Sequence, residues 1–165
     1  MKRKYIFATY IPNGVNLDIF KPLSNNKEFI IGICQNYNLE KIKKICKKVK
    51  IKLKKVLNFP YEKMPYFYSL LKIFISIPPR STGFNMVWLE AMACEVPYII
   101  GTNAGIGEIL PIYKVSNFKE LEKLLMEIKK GEIKPLKNQR KWIIKNKLTW
   151  KEHVNKLLII YQNLQ

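Results

Sequence analysis

The sequence predicts an α/β fold: one Rossmann-like three-layer α/β/α domain built on a parallel sheet, with a helical C-terminal segment. Three observations lead there. Short β-branched and aromatic runs alternate with stretches of helical periodicity. The alternation has the spacing of βαβ units, which bring strands side by side in parallel and lay helices on both faces. A chain of 165 residues with 48% apolar content suits one core spanning residues 1–165 rather than two domains.

Strands are expected over residues 5–11 (a lead-in strand within residues 1–11), 28–33, 50–57, 72–77, 97–101 and 112–115. Helices are expected between them, over 39–48, 61–71, 86–94 and 105–110. From residue 117 to 165 the pattern turns wholly helical. Asn117 with Glu120 forms a capping box for a helix that stops near Gly131, and a second helix covers 136–147. Thr149 with Glu152 caps a third, in which Val154, Leu157, Leu158 and Tyr161 recur at the spacing of one buried stripe. Asn13-Gly14 reads first as a turn.

Charge and cysteine content narrow the function classes. Thirty Lys plus Arg against twelve Asp plus Glu give +18, so the field selects anionic partners. The longest uncharged run, from Tyr5 to Leu17, is thirteen residues and contains Pro12, Asn13 and Gly14, far short of the roughly twenty apolar residues of a membrane span. The basic start is not followed by a signal-type cleavage pattern. Cys34, Cys46 and Cys94 are odd in number and widely spaced, which suits reduced thiols. The single histidine, His153, lies in a helical stretch and cannot build a metal centre or a Ser-His or Cys-His pair with them. A cytoplasmic protein, at most peripheral at a membrane, is expected.

Between Lys41 and Lys55 lie nine lysines and no acid, half of the net charge. Ile42, Ile45, Cys46 and Val49 keep helical spacing, and Val49, Ile51 and Leu53 then alternate with lysines as in a strand, so the lysines occupy a solvent face. The face is either plainly solvated or attracted to an anionic lipid surface. Nucleic acid is the weaker partner, because arginine occurs only at Arg3, Arg80 and Arg140 and no recognised nucleic-acid module accompanies the charge.

The chemistry-bearing stretch is Ile73-Phe-Ile-Ser-Ile77, then Pro78-Pro-Arg-Ser-Thr-Gly-Phe-Asn85, then Met86-Val-Trp-Leu-Glu-Ala-Met-Ala-Cys94. It reads as a buried strand, a loop containing Gly83, and a helix that Asn85 can cap. Such a junction aims backbone N–H groups and the positive end of a helix dipole at whatever lies beyond the strand, which suits a phosphate. Glu90, a turn and a half into the helix, is placed to accept hydrogen bonds from vicinal hydroxyls such as those of a ribose. Trp88, Met92 and Ala93 are expected to pack against the sheet. Residues 103–108 are a plain connection or a wall of the same cleft.

Four motifs occur together and in order: Ile11-Pro-Asn-Gly-Val-Asn-Leu-Asp-Ile-Phe20, the run from Gly83 to Pro97, Gly101-Thr-Asn-Ala-Gly-Ile-Gly-Glu-Ile-Leu110, and Leu148-Thr-Trp-Lys onward to Tyr161. In this the chain resembles the C-terminal, nucleotide-sugar-binding domain of retaining glycosyltransferases of family 4, one half of a GT-B fold. The resemblance implies that Glu90 binds ribose hydroxyls and that Gly83, Phe84, Asn85 and Met86 set backbone amides against the diphosphate and sugar of a UDP- or GDP-sugar. Gly14, Gly32 and Arg80 join the donor-binding set, Thr82 joins Glu90 as catalytic, and no cofactor or metal is implied. It also implies a partner, on a separate chain, carrying the acceptor domain that precedes this one in the family.

Several residues depart from the family. Thr82 stands eight positions before Glu90, where the family has a glutamate that touches the sugar, and Glu95 stands where a glycine is usual. The Arg and Lys that the family aims at the diphosphate are missing from Gly32-Ile-Cys-Gln-Asn-Tyr-Asn38, leaving Arg80 or Lys41 to replace them. One missing oxyanion donor costs about 3 to 4 kcal/mol of transition-state stabilisation. A non-catalytic binding module of the same fold is therefore the competing expectation.

Overall fold

A computed structural model describes residues 9–79 and 84–163. Five strands form one sheet: β1 (Glu28–Ile33), β2 (Lys52–Lys55), β3 (Leu71–Ile75), β4 (Tyr98–Gly101) and β5 (Tyr113–Lys114), in the order β2-β1-β3-β4-β5. Every pairing is parallel. Strand order reverses between β1 and β3, and an open α/β sheet receives its ligand in the crevice outside the carboxyl ends of the strands at that switch point.

Among the described residues, six α-helices accompany the sheet: α1 (Leu39–Val49), α2 (Met64–Leu70), α3 (Met86–Ala93), α4 (Phe118–Lys130), α5 (Gln139–Lys145) and α6 (Trp150–Gln162). Period-two alternation in the central strands divides the core. Ile31, Ile33, Ile73, Ile75 and Ile100 meet Ile42, Ile45 and Cys46 of α1 and Leu121, Leu125 and Ile128 of α4. On the other face Ile30, Phe74 and Ile99 meet Tyr68, Trp88, Leu89, Met92 and Ile143 from α2, α3 and α5. Each such side chain contributes about 1.5–3 kcal/mol by leaving water. Trp88, Met92 and Ala93 are buried as expected.

The N-cap half of each expected capping box forms, while the return bond from the glutamate to the cap residue's own N–H is absent among the described residues. Glu120 N–H donates to Asn117 Oδ1 at 2.9 Å, Ser116 N–H donates to the Glu120 carboxylate at 2.7 Å, and Glu152 N–H donates to Thr149 Oγ1 at 3.3 Å. α4 ends on Gly131 at φ 79, as its sequence signals. α3 ends in a Schellman motif, with Glu95 N–H on the Met92 carbonyl and Val96 N–H on that of Ala91. Glu95 occupies the left-handed position of that motif at φ 51, the conformation that glycine adopts without cost.

Other expectations are corrected. Residues 5–8 of the lead-in strand lie outside the described residues, and residues 9–11 are not a strand. The stretch 61–71 divides into a 3-10 turn, Tyr61–Lys63, and α2, with Pro65 in the first helical turn; the expected helix at 105–110 is a 3-10 turn, Gly105–Glu108. The helix expected at 136 begins at Gln139, because Leu136 N–H is used by the Pro97 carbonyl at 2.8 Å and Gln139 Nε2 by that of Val96 at 2.8 Å.

Asn13-Gly14 makes no turn. A Cβ on Gly14 would stand 2.0 Å from the Thr149 carbonyl carbon, so glycine is there for the close approach that pairs Val15 with Thr149 and seats the start of α6. The stripe of α6 is not buried: Val154, Leu158 and Tyr161 are 47%, 53% and 64% exposed. α6 is held at its first turns, where His153 Nδ1 lies 2.9 Å from the Pro12 carbonyl oxygen.

Candidate functional site

At the switch point, three polar side chains from three separate elements close on one another. Gln35 follows β1, Ser76 follows β3, and Asn85 stands before α3. Ser76 Oγ donates to Gln35 Oε1 at 2.5 Å, Asn85 Nδ2 donates to Ser76 Oγ at 2.8 Å, and Gln35 Nε2 donates to Asn85 Oδ1 at 3.3 Å. Ser76 and Asn85 are buried. In this ring of three neutral groups each member is held by bonds to both of the others, so none can turn without breaking two hydrogen bonds. It also spends the Asn85 side chain. Asn85 occupies the cap position of α3 without capping it, so the first-turn amides of α3 have no side-chain partner among the described residues, whereas Asn117 and Thr149 do cap α4 and α6.

Beside this ring, Glu90 projects from α3 into the second core. Its Oε2 accepts a hydrogen bond from the hydroxyl of Tyr68 at 2.8 Å. Burial lifts the Tyr68 phenol well above its ordinary range, which keeps it a donor. Burial also raises the Glu90 carboxyl above the usual value, opposed by the Tyr68 bond. The Cys34 thiol, half-buried beside them, is pushed up to about 12 by desolvation and is not a nucleophile. Oε1 of Glu90 receives no hydrogen bond from the described residues. Glu90 lines a cavity of about 240 Å³ with Cys34, Val56, Asn58, Phe59, Tyr61, Met64 and Val87. Phe59 and Tyr61 are 40% and 45% exposed and give it an aromatic wall. A half-buried carboxylate oxygen beside aromatic surface suits a hydroxylated ring joined to a flat one.

The other expected site residues are placed as follows. Arg80, Thr82 and Gly83 lie outside the described residues. Phe84 is half-buried against the second core, and Met86 opens α3. Gly32 lies within β1, where a Cβ would meet Leu71 Cδ1 at 2.0 Å, so it is required by packing under the site. Gly14 is taken up at α6. Lys41 holds its ammonium 5.1 Å from the centre of the Phe118 ring on α4. Thr102, Asn103 and Ala104 line a second cavity, of about 320 Å³, with Ile77, Pro78 and Pro79 beyond β3 and β4. Tyr68, Gln35, Ser76 and Phe59 were not singled out by sequence. The one signal available was a polar residue placed just beyond an apolar strand, one position after β3 at Ser76 and two after β1 at Gln35.

Comparisons with known proteins bear on the family and the fold. The chain is 31% identical over 98 residues to an uncharacterized glycosyltransferase of Methanocaldococcus jannaschii, a match covering 55% of this chain and 28% of that protein. Sucrose-phosphate synthase of Thermosynechococcus elongatus superposes with a TM-score of 0.67 at 15% identity, over 93% of this chain and 52% of the other. AviGT4, a glycosyltransferase involved in avilamycin A biosynthesis, gives 0.66 at 13% identity, over 95% and 58%. The chain thus spans about half the length of these solved structures and has the fold of one half of a GT-B glycosyltransferase. Residues 17–149 match the family described as glycosyl transferases group 1, and on that match the chain belongs to the group 1 glycosyltransferases.

Proposed function

We propose that this domain binds a nucleoside diphosphate sugar, a UDP- or GDP-sugar, in the crevice at the β1/β3 switch point. It transfers the sugar with retention, using no metal, once a partner carrying an acceptor-binding domain faces it. The observation that carries the reading is Glu90: a carboxylate bonded to Tyr68 at one oxygen, on a residue that lines a cavity walled by Phe59 and Tyr61. The ribose diol donates to Glu90, the base lies against the aromatic wall, and the diphosphate meets the uncapped amino end of α3 near Phe84, Asn85 and Met86. There the helix dipole and the first-turn amides stabilise the negative charge that develops as the glycosidic bond breaks. Thr82 and Gly83 would complete the sugar side, and Arg80 is the candidate cation.

The Gln35–Ser76–Asn85 ring favours a second reading, binding without transfer. It sets a neutral group, Gln35, satisfied by Ser76 and Asn85, in the stretch where the family resemblance expects two cations, so the leaving diphosphate has less charge to stabilise it. Melting temperatures recorded with UDP, GDP and their sugars test the shared premise. A ligand at one hundred times its dissociation constant stabilises by about 2.7 kcal/mol. One nucleotide series is expected to raise the transition, and silence from all of them would overturn both readings. Release of free nucleotide from the sugar donor, with a candidate acceptor domain added, then separates transfer from binding.

A further inference from the structure

The lysine-rich segment occupies a defined edge of the molecule and contributes no residue to the lining of the Glu90 cavity. β2 is the outermost strand of the sheet, and α1 lies over the same edge. Of the nine lysines between Lys41 and Lys55, eight are exposed and Lys43 is half-buried. Lys43 pairs with Glu40 at 2.7 Å and Lys48 pairs with Glu122; the other seven make no ion pair among the described residues. Lys43, Lys47, Lys50 and Lys52 rim a groove of about 300 Å³ whose floor is Cys46, Ile51 and Leu53. The apolar sides of α1 and β2 are turned mostly to the core, so apart from Glu40 and the groove floor the outward face carries ammonium groups on flexible stems.

The geometry points to this edge as a docking surface for an anionic lipid bilayer. Charge complementarity selects the partner. Seven unneutralised ammoniums spread over a helix and a strand match a surface of dispersed negative headgroups, and at physiological salt a field reaching about 8 Å acts only on the face in contact. Nucleic acid is the poorer match. The patch contains no arginine for bidentate contacts, and Arg140 is consumed by the carbonyls of Leu17, Phe20 and Ala93. It also offers no aromatic platform for bases, since Phe118 at its border already lies under Lys41.

Co-sedimentation of the full chain with phosphatidylcholine vesicles, with and without phosphatidylglycerol, tests the assignment. Binding is expected only when phosphatidylglycerol is present. Replacing Lys44, Lys47, Lys52 and Lys54 together by Gln should weaken it at least a hundredfold, at about fivefold per lysine, with the melting temperature and the response to nucleotide unchanged. A control variant removes the same charge from the opposite side of the sheet, with Gln at Lys134, Lys137, Lys141 and Lys145, and is expected to lose only a few fold. Equal loss from the two variants, equal binding to both kinds of vesicle, or displacement from vesicles by a duplex oligonucleotide would overturn the assignment. Because the nucleotide response is read separately, failure here leaves the donor site untouched.

Discussion

The switch-point crevice and the lysine edge are both built at β1 and its neighbours, yet they use polarity in opposite ways. In the crevice, groups are few, neutral or buried, and each is fixed by a directional bond: Gln35, Ser76 and Asn85 to one another, Glu90 to Tyr68. At the edge, charges are many, mobile and mostly unpaired. The net charge of +18 therefore says little about the candidate ligand site, which relies on a helix terminus and a carboxylate. One region recognises by geometry and should be fragile to single substitutions. The other acts through a summed field and should tolerate them.

The sharpest contrast comes from Asn85→Ala. It removes two hydrogen bonds, to Ser76 Oγ and from Gln35 Nε2, at about 1 kcal/mol each, and empties a buried side-chain site, so it should cost about 3 kcal/mol in urea unfolding. A change below about 0.5 kcal/mol, the ordinary value for a surface site, would remove the distinction between the two regions. Tyr68→Phe should cost less, about 2 kcal/mol, because it deletes one hydrogen bond to a charged group. It should also weaken nucleotide binding by freeing the carboxylate.

The crevice should also respond to pH in two directions. Burial raises Glu90, so between the ordinary carboxylate range and its higher folded value the native protein keeps a proton that the unfolded chain has released. Stability should therefore fall as pH rises through that window, while binding of a diol that needs the carboxylate strengthens. Both trends should vanish in Glu90→Gln, as read from melting curves and nucleotide titrations over the same pH series.

At the far end of α3, Glu95→Gly should stabilise by about 1 kcal/mol, the cost of a non-glycine residue in the left-handed region. The smallest effect belongs to the edge: Lys48→Gln breaks an exposed pair with Glu122 and should change stability by less than about 1 kcal/mol in the same unfolding assay.

Most of the fold was legible from local pattern. Ile31, Ile33, Ile73 and Ile75 alternate as strand residues must, and the capping boxes at Asn117 and Thr149 marked true helix starts. What local pattern missed depends on contacts distant in sequence. Nothing near Leu136 announces that its amide belongs to Pro97, and nothing near Asn85 announces that its side chain turns to Ser76 and Gln35 instead of capping α3. The α6 stripe shows the converse failure: spacing gives a face, and only tertiary structure says whether anything covers it. Glu90 was found from its place in the helix after the glycine loop. Its partner Tyr68, twenty-two residues away in sequence, becomes visible only when α2 packs beside α3.

Everything proposed for the crevice turns on Glu90. Isothermal titration of UDP and GDP into the wild-type chain and into Glu90→Gln, which keeps an acceptor for Tyr68, tests it most directly. Saturable one-to-one binding of one nucleotide is expected for the wild type, with at least a tenfold weaker constant for the variant, about 1.4 kcal/mol. Equal affinity in the two proteins, or no binding to the wild type, would contradict it.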